Sequence, residues 1–307
     1  MILRAAGLSF TVLLAINMAG CRGNGRDAAD SARASLPAVY PANPLGNTNW
    51  DVDAGPVMII SGPSNGDSIA VVLPEATDST IESLQGISPP ISGLTFDLFG
   101  RGGRIASSVG VSSLPPVDVK RDCDSWPLAK LRSAHSNWRV GFASSHVRPV
   151  VLDSIEAMPS ADSAALAAYV AQMAATLPSV SDPTFRGLPF RVRSAYTFRL
   201  DSIDVVIADV VRSVNEEANP RVEHLLIIGE RSAGTKGKYN LGYYSRTAGA
   251  EESTQATEVL AAVQIGVTKR PAFVINIESD DGGKLGLIER TGFGTWSATW
   301  KSAYTDC

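Results

Sequence analysis

The chain has 307 residues, of which 44% are hydrophobic and 19% charged, and its formal net charge at pH 7 is -4. This length can bury one large hydrophobic core or two smaller ones. The apolar fraction excludes a wholly disordered chain, and the lack of a Lys/Arg excess excludes a protein that binds nucleic acid mainly through its phosphates.

The first 20 residues have the features of a secretory signal peptide. Arg4 supplies a positive charge, an apolar run covers residues 5–16, and small residues follow up to Gly20. This order of charge, apolar run and small residues is typical of an export signal. The run is shorter than the roughly 20 apolar residues of a membrane-spanning helix. We therefore expect residues 1–20 to be removed on export.

The cleavage region, Met18-Ala19-Gly20-Cys21, resembles the lipobox of bacterial lipoproteins, although Met18 stands where that family usually has Leu. The resemblance implies that Cys21 becomes the N-terminus and carries lipid, and several acyl chains anchor a protein stably where one would not. Arg22 replaces the Asp associated with inner-membrane retention in enterobacterial lipoproteins, which favours the periplasmic face of the outer membrane. The alternative is an ordinary secretory signal that is cut elsewhere.

The chain has three cysteines, Cys21, Cys123 and Cys307. If Cys21 carries lipid, only one pairing remains. Exported proteins fold in an oxidising compartment, so we expect a Cys123–Cys307 disulfide that ties the last residue to the middle of the chain. The alternative is two free thiols that do not meet.

After the signal, residues 21–49 are rich in Gly, Ala, Asn, Ser and Pro and lack periodicity, which is typical of a flexible tether. Residues 50–155 then predict an N-terminal region of mainly antiparallel β-strands. Gly100-Arg101-Gly102-Gly103 joins two of its strands as a hairpin, with an anion-binding loop as the alternative. The predicted strands are 57–60, 69–73, 94–99, 104–111 and 138–142.

One helix is predicted, at residues 161–177 within the segment 156–180. Ser160 can cap it, Asp162 lies in its first turn and Pro178 follows its end. Because it is rich in alanine and carries an apolar stripe at helical spacing, we expect it to lie on a sheet. The stripe consists of Leu166, Tyr169, Val170, Met173 and Leu177.

Residues 181–307 predict a C-terminal β region, which gives a β-rich α+β fold with antiparallel sheets and one Ala-rich helix. Asp280-Asp281-Gly282-Gly283 is typical of a hairpin turn, and 251–263 fits either a strand or a helix. The predicted strands are 190–193, 196–199, 205–211, 225–228, 239–244, 259–265, 272–277, 284–289 and 295–300.

A pattern of Gly, two apolar residues, one variable residue, Arg and Thr occurs at 242–247 and again at 286–291. Each copy follows two apolar strands, so a three-strand order is repeated. The layout resembles a degenerate form of the FG-GAP-type repeats of extracellular β-propellers, which implies two blade-like β-meanders. The calcium-binding loop of that family is missing, so the resemblance implies no calcium role. The alternative is two unrelated meanders.

Candidate catalytic residues are few. Ser64 lies in Gly62-Pro63-Ser64-Asn65-Gly66, which matches a nucleophile elbow, but that motif needs a following helix and 69–73 predicts a strand. A hairpin turn is the favoured interpretation.

The three histidines, His135, His146 and His224, show no metal-ligand spacing. His135 and His146 could meet Cys123 at a zinc ion, but the expected disulfide already uses that cysteine. His224 begins an apolar strand and is interpreted as a strand-end side chain rather than a general base. The adjacent acidic pairs at 216–217, 251–252 and 280–281 are interpreted as solvated loops. No catalytic set, metal or cofactor is predicted.

Trp296 and Trp300 would share one face of the last long strand, with Ala298 between them. The favoured interpretation is a pair that packs in the core or between sheets. The alternative is an exposed binding surface for a partner or glycan.

Two functional hypotheses follow. The first is a lipid-anchored cell-envelope protein that acts as a non-catalytic binding or assembly module, with an envelope protein or glycan as partner and no nucleic acid. The second is an envelope hydrolase that uses Ser64 or a histidine. The sequence favours the first hypothesis because no catalytic residues converge on a recognisable motif.

Overall fold

The computed structural model of the chain describes residues 58–61, 67–72, 91–113, 128–144, 147–178, 182–215, 219–235, 238–265, 269–279, 282–302 and 305–306. Within these ranges the chain forms a closed six-stranded barrel, two antiparallel sheets and one α-helix. The predicted β-rich fold, with antiparallel sheets and a helix, is confirmed for the described residues. The closed barrel is a feature that the sequence analysis did not predict.

Six strands of the N-terminal region close into the barrel. They are β1 (Met58–Ser61), β2 (Ser68–Val72), β3 (Thr95–Gly100), β4 (Gly103–Ser113), β5 (Leu128–Leu131) and β6 (Val140–Ala143). Neighbours pair antiparallel in the order β1-β2-β5-β4-β3-β6, and β6 pairs with β1. Closure removes the unpaired strand edges that an open sheet presents. Phe96, Phe99 and Phe142 are fully buried in the core that results.

The hairpin predicted at residues 100–103 is confirmed. Strands β3 and β4 pair with Gly100 opposite Gly103, and Gly103 has a φ of 96°, a left-handed conformation that glycine adopts without steric cost. Arg101 at the tip donates from Nε to the main-chain carbonyl of Val259 over 2.7 Å. The hairpin therefore connects the barrel to a strand of the C-terminal region.

The other elements form two sheets and a helix. In chain order they are β7 (Val147–Val150), β8 (Asp153–Ser154), α1 (Ser160–Ala175), β9 (Arg191–Leu200), β10 (Ile203–Val214), β11 (Arg221–Ser232), β12 (Asn240–Ala250), β13 (Ala256–Ile265), β14 (Arg270–Ser279), β15 (Gly282–Gly292), β16 (Thr295–Lys301) and β17 (Thr305–Asp306). Sheet I has the order β12-β11-β10-β9-β8. Sheet II has the order β16-β15-β14-β13-β7, with β17 beside β15.

Several details of the C-terminal region differ from the prediction or decide between its alternatives. The two strands expected at 190–193 and 196–199 are one strand, β9. The segment 251–263, which fits either a strand or a helix by its sequence, begins with a 3₁₀ turn at Glu251–Ser253 and continues into strand β13. Ser279 pairs with Gly282, so β14 and β15 form the expected hairpin, and Asp280 and Asp281 lie outside the described residues.

The described elements stack in four layers, which are the barrel, sheet II, sheet I and α1. One apolar cluster joins the barrel to sheet II, a second lies between the two sheets, and a third joins sheet I to α1. In β10, Val205 and Ile207 belong to the second cluster, whereas Val206 and Ala208 belong to the third. Burial on both faces explains why the central strands are continuous apolar runs instead of alternating ones.

Helix α1 occupies the predicted position on a sheet, but its start differs. Pro159, and not Ser160, precedes the first helical residue, and no side chain caps the end. The carbonyl of Pro159 accepts the first intrahelical hydrogen bond, from the main-chain N–H of Ser163 at 2.9 Å. The prediction of a Ser160 cap is therefore wrong, because Pro159 occupies the capping position and Ser160 is already the first helical residue. Leu166 and Val170 are buried against sheet I.

Trp296 and Trp300 are both buried, with 3% and 7% of their surface exposed, which excludes the exposed binding surface. They also lie on opposite faces of sheet II. Leu287 pairs with Trp300 while Ile288 pairs with Ala298, so β16 contains one extra residue, a bulge that reverses the alternation of side chains. Trp296 packs between the two sheets and Trp300 packs towards the barrel.

Gly110 in β4 provides a test of the barrel packing. A Cβ on this residue would overlap the main-chain carbonyl of Ile91, and the backbone is held there by hydrogen bonds to Gly93 and Leu94, both 2.8 Å long. We expect Gly110→Ala to destabilise the protein by about 2 kcal/mol or more, as overpacking does, measured by urea unfolding. Gly102→Ala is the control, since a Cβ there has no heavy atom within 4 Å. Equal stability of the two variants would contradict this packing.

Candidate functional site

Five residues singled out in the sequence, Cys21, Ser64, Cys123, His146 and Cys307, lie outside the described residues. Lipidation and the disulfide therefore stay predictions. The segment that follows Ser64 is strand β2, which pairs antiparallel with β1. A nucleophile elbow requires a helix at that place, so the local fold does not provide the context for a catalytic Ser64.

His224 lies mostly buried on the face of sheet I that meets sheet II. Its Nδ1 is 3.5 Å from Oδ1 of Asp209, and the Nε of Arg193 donates to the other oxygen of that carboxylate. Arg193 also donates to the carbonyl of Thr257 in sheet II over 2.9 Å. The Asp209 carboxylate is thus shared by an arginine and an imidazole in a contact that joins two layers, which indicates a structural cluster.

The six buried acidic residues of the described ranges all contact an arginine across neighbouring strands or layers. The pairs are Asp97–Arg104, Asp204 with Arg199 and Arg231, Asp209–Arg193, Glu223 with Arg212 and Arg246, Glu230–Arg290, and Glu289–Arg270. Arg246 and Arg290 are the arginines of the repeated sequence pattern, and both contact glutamates of β11. Because each buried carboxylate has an arginine partner, its negative charge is neutralised within the fold.

Glu230 has the fullest set of donors among them. Its carboxylate accepts hydrogen bonds from Arg290 Nε at 2.6 Å and Nη2 at 3.0 Å, from Trp296 Nε1 at 2.8 Å, and from the Gly294 amide at 3.0 Å. Glu230 belongs to sheet I and the donors belong to the β15–β16 hairpin of sheet II. Burial alone would raise the pKa of Glu230, but the Arg290 and Trp296 donors outweigh burial and hold the pKa below its ordinary value.

We expect Glu230→Gln to destabilise the protein by about 3 kcal/mol at pH 7, since one partner of a buried ion pair is removed. The folded-state pKa of Glu230 is lowered, so its ionised form stabilises the fold above the unfolded-state pKa, and this contribution is lost as the pH falls through the folded-state value. The stability difference between wild type and variant should therefore shrink on acidification, measured by urea unfolding from pH 7 to pH 3.

The matched control is Glu252→Gln, which removes the same charge from an exposed glutamate. We expect this variant to stay within about 0.5 kcal/mol of wild type. A Glu230 variant that is as stable as the Glu252 variant at neutral pH would show that the cross-sheet contact does not stabilise the fold.

An open cleft of about 380 Å³ lies between α1 and sheet I. It is lined by Asp162, Leu166 and Tyr169 from α1, by Thr197 from β9 and by Arg231 from β11. A smaller recess of about 140 Å³ continues from it and shares two tyrosines with it. We call the cleft and the recess together the α1 groove.

The cationic side of the α1 groove is built around Asp204. This carboxylate accepts from Arg199 Nε at 2.9 Å and from Arg231 Nε at 3.3 Å. Arg231 is 24% exposed, and its guanidinium carbon lies 4.4 Å from the ring centroid of Tyr239, within the range of a cation–π contact. One carboxylate thus serves two guanidinium groups, while Asp162 adds a negative charge to the cleft and Lys238 a positive charge to the recess.

Tyr239 and Tyr169 form the aromatic part of the α1 groove, at the junction of the cleft and the recess. Burial raises the pKa of Tyr239, although the nearby charge of Arg231 acts in the opposite direction. The Tyr239 hydroxyl is therefore protonated at neutral pH. Met158 lines the cleft, and Met173 and Lys238 line the recess.

A further depression, of about 300 Å³, lies at the end of β12. The hydroxyl of Thr247 donates to the carbonyl of Gln255 at 2.8 Å, and that of Thr254 donates to the carbonyl of Ala250 at 2.6 Å. These hydroxyls are used to close the connection between β12 and β13. The α1 groove, which combines a cation, aromatic rings and buried apolar side chains, is the stronger candidate site.

The groove does not follow from the local sequence pattern. That pattern places Tyr169 in the apolar stripe of the helix and gives no functional role to Arg231 or Tyr239. One signal was present: Glu230 and Arg231 place two charges in succession at the end of an apolar strand. Successive residues of a strand point to opposite faces of the sheet, so Glu230 faces sheet II and Arg231 faces α1.

Comparisons with known proteins leave the family open. No family model matches the chain, and neither a curated protein nor a solved structure matches it. Among the described residues, no group of three or more His, Cys, Asp or Glu side chains is placed to hold a metal ion. None of the helical segments in those residues is both long enough and apolar enough to cross a membrane.

Proposed function

We propose that this chain is a lipid-anchored protein of the bacterial cell envelope that acts as a non-catalytic binding module, and that the α1 groove is its binding site. The observation that carries the proposal is the groove itself. Ligand sites are concave, largely apolar and few in number, with a small set of placed polar groups. The α1 groove is concave and places Arg231, Thr197 and Tyr239 beside Leu166 and Tyr169, with polar and apolar groups in similar proportion.

The N-terminal segment supports the location. The export signal, the lipobox-like residues before Cys21 and the tether at 21–49 favour a body held off the periplasmic face of the outer membrane by its lipid. The same oxidising compartment favours the Cys123–Cys307 disulfide. The repeated Gly-x-x-x-Arg-Thr pattern and the equal order of β10–β12 and β13–β15 support the proposal that these meanders are related, blade-like units.

The alternative of an envelope hydrolase has less support. Among the described histidines, His224 contacts a carboxylate, but Asp209 is already held by Arg193. A general base must reach the proton that it abstracts, and this pair is enclosed between two sheets. A binding function does not require His224 to reach a substrate.

The anchor is tested by Cys21→Ala. We expect wild-type protein to enter the detergent phase of a Triton X-114 extract, and the variant to enter the aqueous phase because it lacks acyl chains. Cys123→Ala is the control and should still enter the detergent phase. A Cys21→Ala protein that remains in the detergent phase would contradict lipid anchoring at this residue.

Binding in the α1 groove is tested by NMR of the mature chain in mild detergent, with the methionine methyl groups labelled with ¹³C. A chain that begins at Cys21 keeps three methionines. Met158 and Met173 line the groove, whereas Met58 is fully buried in the barrel core and serves as the internal control.

The probes are N-acetylglucosamine, phenylacetate, phenylacetamide and 2-phenylethylammonium. We expect at least one of them to shift the Met158 and Met173 signals saturably, at millimolar concentration or below, and to leave the Met58 signal in place. If none of the four does so, the groove is not a binding site for small ligands and the proposed function fails.

A further inference from the structure

We propose that the α1 groove takes an amphipathic anion: a molecule with one acidic group, held by Arg231, and an apolar or ring-shaped body that lies along Tyr169, Leu166 and Tyr239. This inference rests on the proposed binding function and adds the chemical class of the ligand. It depends on the charge balance around Asp204, on the partial burial of Arg231 and on the apolar lining beside it.

The charge balance favours an anion. Asp204 is 11% exposed and contacts both Arg199 and Arg231, so two cations share one carboxylate. Arg199 is 65% exposed and lies outside the groove lining, whereas Arg231 lines the cleft. Asp162 adds a negative charge to the cleft and Lys238 a positive charge to the recess, so three cations face two carboxylates and one positive charge remains in excess. Partial burial of Arg231 screens that charge less than an open surface would.

The geometry of Arg231 favours an acid over a neutral ligand. A guanidinium group has five N–H donors in a planar fork that matches carboxylate oxygens. The contact with Asp204 is made through Nε, so donors remain for a second acid. Its carbon lies 4.4 Å from the Tyr239 ring centroid, and this stacking orients the fork before a ligand arrives.

The remaining lining limits the ligand to one acidic group with an apolar body. Tyr169 is half-buried, and Leu166 and Tyr239 are buried beside it, so the apolar surface left in the groove suits a small ring or short alkyl chain that lies mainly on Tyr169. Asp162 lies on the exposed rim of the cleft and disfavours a second negative charge. Lys238 in the recess is the other cation of the groove.

The experiment compares three probes of nearly equal shape, the anion phenylacetate, the neutral phenylacetamide and the cation 2-phenylethylammonium. The mature chain in mild detergent is titrated with each, and the Met158 and Met173 methyl signals are followed. We expect phenylacetate to bind about tenfold more tightly than phenylacetamide, because the neutral amide lacks the negative charge that pairs with the guanidinium group. We expect the cation to bind most weakly.

Arg231→Gln should lower the affinity for phenylacetate about tenfold and leave that for phenylacetamide nearly unchanged. Arg199→Gln is the matched control, because it removes the same charge from the same carboxylate without removing a groove contact, and it should weaken binding only about twofold. Arg231→Lys keeps the positive charge but lacks the planar guanidinium fork. Its affinity for phenylacetate should lie between those of the two glutamine variants. The Met58 signal reports whether each variant keeps the native barrel.

Each outcome decides the inference. Tighter binding of phenylacetate that depends on Arg231 more than on Arg199 supports it. Equal affinities for phenylacetate and phenylacetamide overturn the anion while the groove still binds ligands. Equal losses in the two glutamine variants overturn Arg231 as the group that holds the acid. Saturable binding of N-acetylglucosamine alone also overturns the anion and leaves the proposed function standing. If no probe shifts the groove methionines, the inference and the proposed function both fail.

Discussion

Both faces of each central sheet are covered by another layer of the protein. Sheet II lies between the barrel and sheet I, and sheet I lies between sheet II and α1. A strand that is covered on both sides must be apolar at successive positions, as residues 205–208 of β10 are. Any charged side chain in such a strand must find a partner within the protein, because an uncompensated buried charge is strongly destabilising. The cross-strand arginine–carboxylate pairs follow from this constraint.

Polar contacts link the layers at defined points. Arg101 reaches from the barrel hairpin to the carbonyl of Val259, Arg193 reaches from sheet I to Thr257, and Glu230 receives donors from the β15–β16 hairpin. Apolar burial is non-directional, whereas these bonds require particular atoms to meet. We infer that the apolar clusters supply most of the stabilisation and that the polar contacts define how the layers are aligned.

The α1 groove is a consequence of the same layering. A single helix covers the middle of sheet I, with Leu166 and Val170 packed against it. Arg231 lies at the end of β11 and Tyr239 just before β12, where the cover of the helix stops. Arg231 is therefore left partly accessible beside the buried ring of Tyr239 and the apolar face of α1. A binding site at the margin of a layer leaves the core packing undisturbed.

The sequence by itself determined the strands of the barrel other than β5, the hairpin at residues 100–103, the helix and most strands of the two sheets. These follow from local apolar periodicity and turn residues, which act over a few positions. The export signal and the lipid anchor also rest on the sequence alone. Only the tertiary structure decided the closure of the barrel, the bulge that separates Trp296 from Trp300, and the meeting of Tyr169, Arg231 and Tyr239 in one groove. These depend on pairings and packing between residues far apart in the chain, which no local pattern encodes.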